Sequence, residues 1–154
     1  MPQKSALIEP FVTLDNLPGA GFQAALKYWL LAKGDLELPP QSAIDPTRFP
    51  RGAVANFSVI SVEEGPKRFR YRVMGSAIVQ AWGEDPSGRF AEDLPNGREM
   101  ADRMMTCVRR RQPYYSQGPL KFAVNSFMSF AVLVMPFAGR DASVSRLLVY
   151  NEFN

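Results

Sequence analysis

The sequence predicts an α+β domain, an antiparallel sheet with helices on one face. Three observations carry this. Phe69, Tyr71 and Val73 alternate with Arg68, Arg70 and Arg72, the period of two that marks a half-buried strand. Directly after Gly75 the apolar residues Ile78, Val79 and Trp82 take helical spacing, and Gly83 stops the run. Further strand-like stretches follow one another across short turns, which favours sequential hairpins and antiparallel pairing.

Length and composition bound the rest. The chain has 154 residues, the size of one domain, and 46% of them are apolar, enough for a packed core. The net charge of +3 is mild for a nucleic-acid binder, although the pI near 9.2 leaves that function open. Cys107 is the one cysteine, so an intramolecular disulfide is excluded and a reducing cytoplasm fits. The N-terminus, Met1 to Ser5, lacks the apolar core of a signal peptide. The most apolar segment, Phe127 to Phe137, is well short of the roughly 20 residues that cross a bilayer. Histidine is absent, which removes the usual general base, the commonest zinc and haem ligand, and every Ser-His-Asp or Cys-His arrangement.

Along the chain, residues 1–20 carry Pro2, Pro10 and Pro18 without a clear period and predict a loose or partly extended arm. The single domain then spans 21–154. Its opening helix, 21–33, places Phe22, Leu26, Trp29 and Leu30 on one face, and Gly34 ends it. Leu36 to Pro50 is a proline-rich connector, extended with at most one short turn, for which Asp45 is the N-cap and Pro46 the first position. Val54–Val62 and Lys67–Met74 form a hairpin across Glu63-Glu64-Gly65-Pro66. A short helix covers Ser76–Trp82 with Ser76 as cap, and a loop follows to Leu94. Asn96 and Glu99 have capping-box spacing ahead of a helix with Met100, Met104, Cys107, Val108 and Arg111, closed by Pro113. Three strands complete the chain: Tyr114–Leu120, Phe127–Phe137 and Ser143–Phe153.

This order, with these residues, resembles the PAS domain. The similarity is to a bacterial single-domain PAS family of alphaproteobacterial type. It rests on Tyr28-Trp29 in the leading helix, Leu38-Pro39 and Asp45-Pro46 in the connector, Phe69–Arg72 in the strand, Gly75, and the turn Gly83-Glu84-Asp85-Pro86-Ser87-Gly88-Arg89. It covers roughly residues 22–94, and the strand ending in Met135-Pro136-Phe137 is also similar. The resemblance implies a five-stranded antiparallel sheet with short helices on one face, an extra N-terminal helix, and a small apolar cavity. It further implies a sensory or interaction module that binds a small molecule or a protein partner.

Candidate residues follow from these readings. Tyr71, Val73, Trp82, Met104, Phe130 and Leu133 are the expected cavity lining, since aromatics and methionines suit an adaptable apolar pocket. The competing reading is an ordinary filled core. Phe22, Leu26, Trp29 and Leu30 either pack on their own domain or form a homodimer face. Cys107 lies in Met105-Thr106-Cys107-Val108, unlike the Asn-Cys-Arg-Phe-Leu stretch of light-sensing PAS relatives, so flavin-cysteine photochemistry is not expected. Haem ligated by histidine is excluded by composition, and no metal site is indicated. Lys67, Arg68, Arg70, Arg72 and Arg109 to Arg111 are read as solvated positive charge, with an acidic protein partner or nucleic acid as the sharper alternative.

An enzyme of ketosteroid-isomerase shape is the alternative function. It would need Asp93 or Asp102 beside Tyr71 or Tyr114 inside the cavity. The leading expectation is a stand-alone cytoplasmic module, dimeric, with no membrane association, that signals through a protein partner in trans. No catalytic residue is assigned.

Overall fold

In a computed structural model, the structure describes residues 7–9, 12–65, 68–95, 97–119 and 129–154. Six strands form one antiparallel sheet: β1 (Leu7–Glu9), β2 (Phe57–Val62), β3 (Phe69–Met74), β4 (Tyr114–Pro119), β5 (Ser129–Ala138) and β6 (Val144–Phe153). Their spatial order is β1-β4-β5-β6-β2-β3. Three helices complete the domain: α1 (Ala20–Lys33), α2 (Ser76–Trp82) and α3 (Gly97–Arg110).

The five expected strands are present, with local corrections. Residues 54–56 form a 3-10 turn, so the first strand of the hairpin starts at Phe57. The connector holds two 3-10 turns, 41–43 and 46–48, where at most one was expected. The second opens as predicted, with Asp45 Oδ1 accepting from Thr47 N at 3.0 Å and Pro46 in the first position. Gly75 rather than Ser76 occupies the cap position of α2, and Gly83 closes that helix in the left-handed region at φ 82°. The N-terminal arm contributes β1, a sixth strand pairing Leu7 with Gln117 and Glu9 with Tyr115. Asn96, Leu120, Phe127, Lys67 and Pro10 lie outside the described residues, and the expected cap at Asn96 with them.

The central strands of the sheet are buried on both faces. Alternation along β5 sends Val132 and Val134 to one side and Leu133, Met135 and Phe137 to the other. Helix α1 covers the second side. Its residues Phe22, Ala25, Leu26 and Trp29 recur at helical spacing and are buried. Phe22 meets Tyr115 and Tyr150 edge to face at 5.3 and 5.1 Å, and the Trp29 indole donates to the Pro136 carbonyl at 2.8 Å. Helices α2 and α3 lie over the first side, where the candidate site is.

Candidate functional site

Between the first face of the sheet and helices α2 and α3 lies an interior space of about 40 Å³. Tyr71, Trp82, Met104 and Phe130, four of the six residues predicted to line it, do so. The other two belong elsewhere, for different reasons.

Val73 is displaced by a bulge. Val59 opposes Val73, yet Ile60 opposes Tyr71, so the register of β2 and β3 slips by one and Arg72 is the extra residue. One inserted residue reverses which side the next side chain takes. Val73 therefore turns outward, 59% exposed, and Met74 enters the cavity wall in its place. Leu133 fails on parity alone. It is three residues from Phe130, so the two cannot share a face of one strand. It is buried on the α1 side, opposite Tyr115 and Tyr150.

The expected dimer face is also corrected. Phe22, Leu26 and Trp29 are each 2% exposed and committed to the chain's own core. Only Leu30 of that set is exposed, beside Leu31. The apolar stripe of α1 is the contact that holds the helix on the sheet, which is the plainer of the two readings it allowed.

Sequence reasoning missed much of the polar lining. Ser58 and Asn151 reach the cavity from β2 and β6, Tyr114 from β4, and Arg103 from α3 between Met100 and Met104. Alternation with Ile60 and Val149 was an available signal for Ser58 and Asn151, but a small polar residue within an apolar strand is easily read as incidental. Tyr71 donates its hydroxyl to Met100 Sδ at 3.0 Å and meets Trp82 edge to face. Burial pushes the phenols of Tyr71 and Tyr114 well above their ordinary range, so both stay protonated donors at neutral pH.

No aspartate or glutamate is among the described residues that line the cavity. Asp93 and Asp102 are exposed, and Asp102 lies in a separate surface groove with Arg68, Arg98 and Arg109. The carboxylate-tyrosine pairing required by the enzymatic alternative is not assembled. Cys107 is buried outside the described lining, its thiol donating to the Gln112 carbonyl at 3.3 Å and pushed up by burial. Of the arginines, Arg70 is held by Glu63 at 2.7 Å and lies 4.3 Å over the Phe90 ring, while Arg111 pairs with Glu37 at 2.6 Å. Arg72, Arg109 and Arg110 are exposed.

No protein-family model and no curated protein matches the sequence. Solved structures do match. The structure of an RNA-binding Light-Oxygen-Voltage receptor is similar, with a TM-score of 0.58 and 13% identity. The fold is PAS/LOV-like. The likeness covers 98% of this chain and 39% of the receptor's, so this PAS-like chain spans about two fifths of that protein's length. No helix among the described residues is long and apolar enough to cross a membrane.

Proposed function

We propose that this PAS-like domain is a sensory module whose interior cavity takes a small molecule and which signals through another protein. The observation that carries the reading is the unmatched polarity of the cavity wall. Ser58, Tyr114 and Asn151 line a largely apolar space together with Arg103, and none of these three side chains has a hydrogen-bond partner among the described residues. Buried polar groups are normally satisfied, and here a bound molecule would satisfy them.

The space also limits the occupant. Pockets for drug-sized ligands run to about 300–1,000 Å³. A volume of about 40 Å³ suits a molecule of a few heavy atoms and does not fit a flavin. Together with the position of Cys107 away from the described lining, it supports a role without flavin-thiol photochemistry. The want of a carboxylate in the described lining favours binding over proton-abstraction chemistry. The reading keeps the expected cytoplasmic setting and the bacterial single-domain PAS relatives suggested by Tyr28-Trp29 and Phe69–Arg72.

Native mass spectrometry of the purified protein tests it. A reproducible mass excess of a small molecule, lost on denaturation, is the expected result. Bare protein that also takes up no small probe in solution would leave only a protein-interaction role.

Self-association is a second reading, favoured by Leu30, Leu31 and Leu36, which are 41%, 84% and 58% exposed around the C-terminal end of α1. Sedimentation equilibrium with Leu31→Glu tests it: a dimer weakened by the substitution supports it, and a monomer at high concentration contradicts it.

A further inference from the structure

The chemistry of the cavity wall narrows the class of molecule it takes, an inference that rests on the small-molecule reading above. Ser58 and Asn151 are 3% and 7% exposed, so bulk water does not serve them. The Tyr114 hydroxyl joins them from β4. Tyr114 and Ser58 lie in one cross-strand row through Val134 and Val149, and Asn151 is two residues along β6 from Val149, so the three polar groups share the cavity face. Buried polar groups are normally paired, so a wall of unpaired ones calls for a partner.

Arg103 lines the same cavity from α3. Its side chain is 13% exposed, and one nitrogen, NH1, donates to Glu99 Oε1 at 3.0 Å. A guanidinium carries five N–H donors, and the others of Arg103 find no acceptor among the described residues. The wall therefore offers the Arg103 cation, the Ser58 and Tyr114 hydroxyls and the Asn151 amide, all able to donate. What answers several donors and a positive charge at one point is a carboxylate, with two oxygens and about four lone-pair sites. The rest of the wall, including Ile60, Met74, Ile78 and Val149, is apolar and suits a short alkyl tail. A space of about 40 Å³ corresponds to about three water molecules, the bulk of a few heavy atoms.

We propose that the cavity binds a small monocarboxylate of acetate to propionate size, its carboxylate on Arg103 and among Ser58, Tyr114 and Asn151, and its tail among the methionines. Phosphate would match the cation and leave the apolar wall unmatched.

Methionine-methyl NMR of the full chain tests this, because Met74, Met100 and Met104 line the cavity. The probes are sodium propionate, propionamide at matched ionic strength, and xenon. Propionate should shift those three methyl signals saturably, at a concentration at least about tenfold below that needed for the neutral amide. Arg103→Met should abolish this preference while keeping the response to xenon. Glu99→Gln, which removes the carboxylate competing for Arg103, should tighten propionate binding severalfold. Equal responses to acid and amide, or propionate binding to Arg103→Met as to the native protein, would overturn the proposal. Should that variant not fold, Glu99→Gln decides: unchanged or weaker binding contradicts the assignment. A xenon response with no propionate response overturns the carboxylate class and leaves the small-molecule reading intact. No response to either probe, as for a cavity that holds water alone, overturns both.

Discussion

The ring of Tyr71 meets that of Trp82 edge to face, with centroids 5.5 Å apart and planes at 86°. Tyr71 belongs to β3 and Trp82 to the last turn of α2, so the contact folds the helix back over the strand that precedes it. The Tyr71 hydroxyl on Met100 Sδ then ties the pair to α3. One side chain thus joins the three elements that enclose the cavity. Trp82→Ala should cost about 3–5 kcal/mol and enlarge the cavity. Urea denaturation checks the first effect. A loss below about 1 kcal/mol would mean that the ring is not packed as described.

Gly75 makes the fold-back at β3 and α2 sterically possible. A Cβ there would lie 2.2 Å from the Ala55 carbonyl oxygen and 2.7 Å from that of Phe57, both backbone atoms with little freedom to yield. The Gly75 amide also donates to the Phe57 carbonyl at 2.9 Å. Gly75→Ala should destabilise by about 1–3 kcal/mol or more, the range for overpacking, although alanine is the better helix former. Thermal melts that show a gain in stability would contradict this close approach.

Trp29 offers a test that separates the two roles of α1. As a dimer contact, its replacement by glutamate would leave a folded monomer. Buried at 2% exposure and bonded to the Pro136 carbonyl, it instead predicts that Trp29→Glu unfolds or severely destabilises the domain. Trp29→Phe, which removes the indole donor and keeps an aromatic ring, should cost about 1–3 kcal/mol. Circular dichroism with sedimentation distinguishes the cases. A well-folded Trp29→Glu monomer would contradict the core placement.

These examples show where the sequence was legible. Alternation in Phe69–Tyr71, helical spacing in α1 and the Gly83 stop are local signals, and they marked elements and most of the buried faces. The bulge at Arg72 is not local: it is a register relation with β2, which no pattern within β3 announces, and it exchanged Val73 for Met74. Leu133 was legible in principle, since strand parity alone separates it from Phe130. The polar lining is harder to see. Tyr114 and Asn151 are 37 positions apart and reach one cavity only because β4 and β6 flank β5. Arg103 was masked by its place in a charged helix, where its pairing with Glu99 reads as ordinary surface chemistry.

Acid should weaken the domain through four carboxylates. Asp45, Asp85 and Asp141 each accept the hydroxyl and backbone amide of the residue two positions on, at 2.7 and 3.0, 2.6 and 3.0, and 2.6 and 3.1 Å. These bonds, the hydroxyl first, hold all three below the usual carboxylate range. The Arg70 guanidinium, aided by the Ser61 hydroxyl, does the same for Glu63. A pKa lower in the folded state contributes stability above the unfolded value, about 3.9 for aspartate and 4.3 for glutamate, and that stability is lost as pH falls through the folded value. At the other extreme, the raised phenols of Tyr71 and Tyr114 favour the folded state until pH passes about 10, where the unfolded chain ionises first. Denaturant midpoints across pH should form a plateau that falls at both ends, with a smaller acid loss in Asp85→Asn. A flat acid limb would contradict the hydrogen bonds assigned to these turns.

The space under α2 and α3 is open to a small molecule rather than closed core. Diffraction from crystals of the protein held under xenon pressure tests it most directly. One well-occupied xenon site in contact with Tyr71, Trp82 and Phe130 is the expected result. Crystals that take up xenon elsewhere, or not at all, while this space stays closed would contradict it.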